Sequence, residues 1–370
     1  MKIVYFTHSL VSCWNHGNAH FLRGVLDELR RRGHDTIAFE PETGWSRQNL
    51  LRDHGPSGLA PFQVKYPDLQ TYCYSEADDL ARMTDGADLV IVHEWNEPDL
   101  VAGLGMQRKR GAPFLLLFHD THHRAVSAPE EMRTYDLSGY DGVLAFGEAL
   151  SEVYRAWGWG SRVWTWHEAA DVRRFRPPDH EQEREGLVWI GNWGDGERSE
   201  ELTEFLLAPA RAAHLDLAIY GVRYPDDAVR TVARYGAHLR GWAPNPLAPE
   251  IFARHAATLH VPRRYYAKVL PGIPTIRVFE ALACGIPLVC APWEDAEQLF
   301  RPGADYLIAE NGRQMSAHLR TLAQDADMRA ELAESGLATI HAQHTCAHRA
   351  DELLTIVGEL SQPDGLRKTA

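Results

Sequence analysis

Short apolar runs that end in polar or glycine residues recur along this chain, with helical periodicity between them. That alternation restricts the fold to an α/β class built from βαβ units on parallel sheets. Lys2 to Thr7 is the first such run. From Asn18 to Arg32, Phe21, Leu22, Val25, Leu26 and Leu29 recur at helical spacing, and Gly33-His34 closes the helix before a second run at Thr36 to Phe39. Further strands are expected over Asp88–Val92, Pro113–Phe118 and Gly142–Phe146, with a helix over Ala149–Trp157. Glu42–Cys73 is rich in glycine, proline and polar residues and is expected to form loops with short elements.

The polar stretch Glu168–Gly186, with Pro177-Pro178, reads as interdomain punctuation. After it the strand series starts again at Leu187–Ile190, Leu215–Tyr220, Ala237–Arg240, Ala257–Val261, Pro287–Cys290 and Asp305–Ile308, with helices over Ser199–Ala213, Met315–Leu322, Asp327–Ile340 and Ala347–Val357. A length of 370 residues also favours two cores over one. The expected organisation is an N-terminal Rossmann-like domain over 1–170 and a second over 171–345. A C-terminal helix over 346–358 packs back on the first, and 359–370 is a flexible tail.

A net charge of -13 argues against bare nucleic acid as the partner, because phosphate-backbone affinity comes from clustered Lys and Arg. The five cysteines are scattered without a CxxC pair, which fits a reducing compartment and neither a disulfide framework nor a structural zinc site. The opening MKIVYFTHSL lacks the features of a signal peptide, and no apolar run approaches the roughly 20 residues of a transmembrane span. A cytoplasmic protein is expected, with peripheral membrane association left open.

Polar groups at the carboxyl ends of the apolar strands mark where open α/β sheets bind ligands. His93-Glu94 follows one strand and His119-Asp120 another; Gly17 lies in the first strand-to-helix turn. His119, with an ordinary pKa near 6.5, suits hydrogen bonding to a ligand or proton movement. The crowd of Asp120, His122 and His123 also allows a metal reading, which the absence of helical ligand spacing disfavours, so no metal is expected. In the second half, Gly191-Asn192 opens a glycine-rich strand-to-helix loop reaching Arg198, and Gly272, Thr275 and Arg277 precede a helix whose N-terminal N–H groups suit a diphosphate. Lys268 is a further cationic candidate.

Three segments carry a family likeness. The opening strand with its Gly17 loop, the run ELRRRGHD, and Arg277-Val278-Phe279-Glu280-Ala281-Leu282-Ala283-Cys284-Gly285-Ile286-Pro287 resemble retaining glycosyltransferases of the GT-B fold, similar to glycosyltransferase group 1, family 4. Within them, His344-Thr345-Cys346-Ala347-His348-Arg349-Ala350 looks like the CgeB-like (spore maturation protein) branch. The resemblance implies two Rossmann-like domains facing each other across a cleft, and transfer of a hexose-like sugar from a UDP- or GDP-type nucleotide-diphosphate donor without a cofactor. The acceptor is a carbohydrate, a lipid-linked sugar or a small polar molecule. It also implies that Glu280 holds the ribose, that Arg198 and Arg277 neutralise the leaving diphosphate, and that His119 faces the transferred sugar. The family's usual first glutamate falls on Gly272, so that carboxylate is missing. Two other readings stay open: a sugar-nucleotide 2-epimerase, and a non-catalytic nucleotide-sugar-binding or structural protein. A NAD-dependent oxidoreductase is disfavoured because no G-x-G-x-x-G follows the first strand.

Overall fold

Strands that are apolar on both faces need cover on both faces, and the chain supplies it with helices between parallel strands. The computed structural model describes residues 1–15, 17–180, 183–194 and 196–362. It divides into two units, one formed by Met1–Ser12, Phe21–Glu168 and the chain from Cys346, the other by Cys13–His20 and Ala169–Thr345. The last eight residues of the expected tail, 363–370, lie outside the described residues, while its first two belong to the helix Cys346–Leu360.

The first unit carries β1 (Lys2–Phe6), β2 (Asp35–Pro41), β3 (Gln70–Tyr74), β4 (Leu89–His93), β5 (Leu115–Asp120), β6 (Gly142–Ala145) and β7 (Val163–Thr165). They form one sheet in the order β3-β2-β1-β4-β5-β6-β7, every pairing parallel. All residues of β4 and β6 are buried. In register, His93 stands opposite His119, so the polar ends of β4 and β5 meet side by side.

The second unit carries β8 (Leu187–Ile190), β9 (Leu217–Tyr220), β10 (His238–Leu239), β11 (Ala257–His260), β12 (Leu288–Cys290) and β13 (Leu307–Ile308). These too are all parallel, in the order β10-β9-β8-β11-β12-β13. Its core joins Leu187 and Trp189 of β8 with Ile219, Leu259 and Val289 of neighbouring strands and Leu206, Met315 and Leu319 of the covering helices. Each sheet thus reverses its strand order once, between β1 and β4 and between β8 and β11, which opens a crevice beyond the carboxyl ends there.

Two differences from the sequence expectation have plain causes. Within Glu42–Cys73 the chain forms the helix Trp45–His54 and the strand β3. The helix buries only Ser46, Asn49 and Leu50, and β3 is an edge strand with mostly exposed residues, so neither leaves an apolar signature. The strand expected to stop at Phe118 continues through His119 and Asp120. No helix among the described residues is long and apolar enough to cross a membrane.

The ends of β8 and β9 approach so closely that a Cβ on Gly221 falls 2.0 Å from the carbonyl oxygen of Gly191. Because that neighbour is backbone, Gly221→Ala is expected to lower the urea midpoint of unfolding, at a cost of about 1–3 kcal/mol, as followed by tryptophan fluorescence.

Candidate functional site

At the crevice between β8 and β11 lies a cavity of about 190 Å³. Strand ends supply its floor: Trp189 and Gly191 from β8 and its exit, Tyr220 from β9, His260 and Val261 from β11. Of the residues singled out from sequence, Gly17, Gly191, Asn192, Arg198, Thr275 and Arg277 line it. Its described lining contains three arginines, Arg198, Arg263 and Arg277, and no carboxylate side chain.

Arg198 is held by backbone oxygens. Its Nη1 donates to Val261 O at 2.6 Å and its Nη2 to Asn192 O at 2.7 Å, while the guanidinium lies 5.4 Å from the Trp189 ring centre. Its Nε is buried and makes no hydrogen bond among the described residues. Burial, with Arg263 beside it, lowers the Arg198 pKa to about 10. That is still far above neutrality, so the charge is kept. An arginine with an orphaned N–H and carbonyl partners that do not cancel its charge is a ready anion ligand.

Arg277 and Glu280 stand one turn apart on the helix Ile276–Ala283 and form an ion pair. Glu280 is fully buried and accepts further hydrogen bonds from His20 and Asn245. Burial alone would raise its pKa; Arg277, His20 and Asn245 together outweigh it and hold the carboxyl below its ordinary range. Glu280 is not among the residues lining the cavity. Thr275, at the N-cap of this helix, has its hydroxyl 3.2 Å from His260 Nε2 and makes no side-chain cap bond. Gly17 packs on the same turn: a Cβ there would lie 3.1 Å from Ile276 Cγ2 and 3.8 Å from Arg277 Nη2.

Gly272 and Lys268, also singled out from sequence, do not line the cavity. Gly272 has φ +87°, its N–H donates to Glu294 O at 2.8 Å, and a Cβ would crowd Ala296 and Glu297, so this glycine serves a turn. Lys268 ends the short helix Arg264–Lys268 and is exposed.

In the first unit, His93, Glu94, His119 and Asp120 come together at the carboxyl ends of β4 and β5, all with no exposure. His119 Nδ1 is hydrogen-bonded to the Tyr5 hydroxyl; its Nε2 is buried and has no hydrogen-bond partner among the described residues. Burial drives its pKa down to about 3, so the ring is neutral at any ordinary pH. The ring packs edge-on against Trp166 at 4.8 Å. Glu94 is pushed well above the ordinary carboxylate range by burial and by Asp120. Asp120 is raised to about 6 by burial, although His122 N–H and the Tyr154 hydroxyl donate to it at 2.9 and 2.7 Å. Among the described residues no group of three or more His, Cys, Asp or Glu is arranged to hold a metal ion.

The sequence reading missed His260, Arg263, Trp189, His20 and Asn245. His260 ends an apolar strand just as His119 does, so the same signal was present. His20 and Asn245 sit at helix starts far apart in the chain, and only the fold brings them to Glu280.

Two parallel sheets, each flanked by helices and each with one reversal of strand order, match the GT-B fold. Solved structures of that fold include sucrose-phosphate synthase from Thermosynechococcus elongatus, 14% identical over 97% of this chain and 99% of that one, with a TM-score of 0.66. The Anabaena protein HepE in complex with UDP and glucose is 12% identical over 97% and 99%, at 0.65. An alpha-glucosyltransferase in complex with UDP is 11% identical over 96% and 99%, at 0.70. A family profile described as glycosyl transferase-like matches residues 198–355. No curated protein matches the sequence.

The low His119 pKa carries a sign. An unfolded chain binds a proton there below about pH 6.5, whereas the folded one refuses it until about pH 3, so stability is full above the unfolded value and is lost as pH falls. The loss is about 1.4 kcal/mol per pH unit. His119→Asn is expected to flatten the stability profile between pH 6 and pH 4 by roughly that slope, measured by urea unfolding across the range.

Proposed function

We propose that this chain is a retaining glycosyltransferase of the CgeB-like kind, moving a hexose-like sugar from a UDP- or GDP-type donor to a hydroxyl acceptor. The observation that carries the reading is the cavity at the β8/β11 crevice, which presents Arg198, Arg263 and Arg277 and no carboxylate side chain among the described residues. Arg263 is paired with Glu197 and Arg277 with Glu280, while Arg198 is held by carbonyls alone, and fixed positive charge of that kind favours a small anion. The presence of UDP in the complexes of HepE and the alpha-glucosyltransferase supports a nucleoside diphosphate in this role.

On this reading Arg198 and Arg277 meet the diphosphate oxygens as the bond between the anomeric carbon and the β-phosphate oxygen breaks. Fixed positive charge facing an oxygen that becomes negative stabilises the transition state more than the ground state. The acceptor oxygen forms the new bond on the same face, and its proton passes to the departing phosphate oxygen, so no protein nucleophile is required. The family resemblance assigns His119 to a hydroxyl of the transferred sugar, and a neutral ring suits an uncharged group. Retention follows from the family resemblance. The acceptor is a carbohydrate, a lipid-linked sugar or a small polar molecule, and the working site is cytoplasmic, peripheral membrane contact included.

Thermal shift with UDP, GDP and the corresponding nucleosides tests the reading. A diphosphate at a hundred times its Kd stabilises the folded state by about 2.7 kcal/mol. UDP or GDP is expected to raise Tm, the nucleosides much less, and Arg198→Met to abolish the shift while keeping the unliganded Tm within a few degrees. A chain that responds to no nucleoside diphosphate, or responds equally after Arg198→Met, overturns the proposal.

A further inference from the structure

His20 lies in the first turn of the helix Ala19–Arg31, is fully buried, and has both ring nitrogens engaged. The Asp171 N–H donates to Nε2 at 2.8 Å, so in the neutral ring Nε2 carries the lone pair and Nδ1 the proton. Nδ1 stands 3.0 Å from Glu280 Oε1 and therefore donates to it. The Asn245 side-chain amide donates to the same oxygen at 2.5 Å. The other oxygen, Oε2, receives the Arg277 guanidinium. One carboxylate oxygen is thus fixed by two uncharged donors, and the remaining one is turned to a single cation.

The two exposures differ in a way that matters. The Glu280 side chain has none, while that of Arg277 retains 27% and lines the cavity. A long arginine side chain with that freedom has rotamer entropy to lose on ordering. The carboxylate below removes that freedom beforehand, which is how preorganisation raises affinity. Because His20 and Asn245 bring hydrogen bonds to the carboxylate and Asn245 brings no charge, Arg277 remains its one arginine partner. Oε1 accepts two hydrogen bonds and Oε2 faces Arg277, and the place of Glu280 outside the cavity lining agrees with a supporting job.

We propose that His20 and Asn245 are positioning residues that act through Glu280 to hold the Arg277 guanidinium at the wall of the cavity, where it meets the phosphate oxygens of a nucleoside diphosphate. The inference rests on the anion-site reading of that cavity. It changes the job of Glu280 from a ribose ligand to the relay between a buried histidine and a phosphate-facing arginine.

A double-mutant cycle on the full chain tests it, with isothermal titration of UDP and of inorganic pyrophosphate as probes. His20→Leu is expected to weaken both by tenfold or more, and His20→Asn, which keeps a donor near the Nδ1 position, to restore most of the loss. In an Arg277→Met background His20→Leu is expected to have no further effect, since the arginine it positions is gone. Pyrophosphate has no ribose, so a loss seen with UDP alone overturns the relay and returns Glu280 to the sugar. Equal losses in both backgrounds, or no loss in either, overturn the positioning role while leaving the cavity reading intact. Wild-type protein that binds neither probe removes the cavity reading itself. If His20→Leu does not fold, Asn245→Leu runs the same cycle with the same decisive outcomes.

Discussion

A carboxylate cut off from water has to be answered by donors on every side, and Glu280 is the buried charge around which the second unit is organised at its crevice. Removing one partner from such a group typically costs 3–5 kcal/mol, because the charge left behind is uncompensated. That penalty ties together segments that are far apart in sequence. His20 comes from the loop-and-helix start Cys13–His20, Asn245 from the turn before the helix Ala248–Phe252, and Arg277 from the same helix as Glu280. The rest of that helix is apolar and wholly buried from Val278 to Ala283, so it cannot rotate to relieve the charge. The arginine is the one member that reaches outward, and its direction follows from the others.

The crevice exists for a reason of topology. The chain leaves β8 toward β9 on one side and leaves β11 toward β12 on the other, so the loops beyond β8 and β11 part and leave room. Close backbone approach at Gly191 and Gly221 keeps the floor low, and Arg198 spans the gap by donating to carbonyls on both sides, Asn192 after β8 and Val261 after β11. The same two hydrogen bonds that brace the loops therefore place an uncancelled positive charge at the cavity.

Much of this was legible in the chain. The central strands announced themselves because a buried parallel strand must be apolar on both faces, as LVIVH at β4 and LVWI at β8 are. The edge strand β3 did not, since QTYCY faces solvent along most of its length. At the candidate site, glycine-rich loops and helix starts pointed to Gly191, Asn192, Arg198, Thr275 and Arg277, which do line one cavity. Motif resemblance pointed to Glu280 but could not reveal that its oxygens are occupied, because the partners come from positions 20 and 245 and no local pattern links them. Gly272, in a phosphate-like loop, has φ of +87°, and a Cβ there would crowd residues 296 and 297, so backbone geometry by itself calls for glycine at this position.

The two polar clusters at carboxyl edges follow opposite electrostatic rules. At β4 and β5 burial drives each group toward its uncharged form: His119 falls to about 3, Asp120 rises to about 6, and Glu94 moves well above the carboxylate range. Tyr5 and Tyr154, fully buried beside them, are pushed further from ionisation. Asp120, raised only to about 6, still ionises near neutrality, with the Arg124 charge beside it. At β8 and β11 the same burial lowers Arg198 only to about 10, which leaves its charge untouched. A guanidinium survives desolvation where an imidazole or a carboxyl does not, because its ordinary pKa lies so far above neutrality. Residue choice therefore decides how burial acts: it leaves the His119 ring neutral and the Arg198 guanidinium charged.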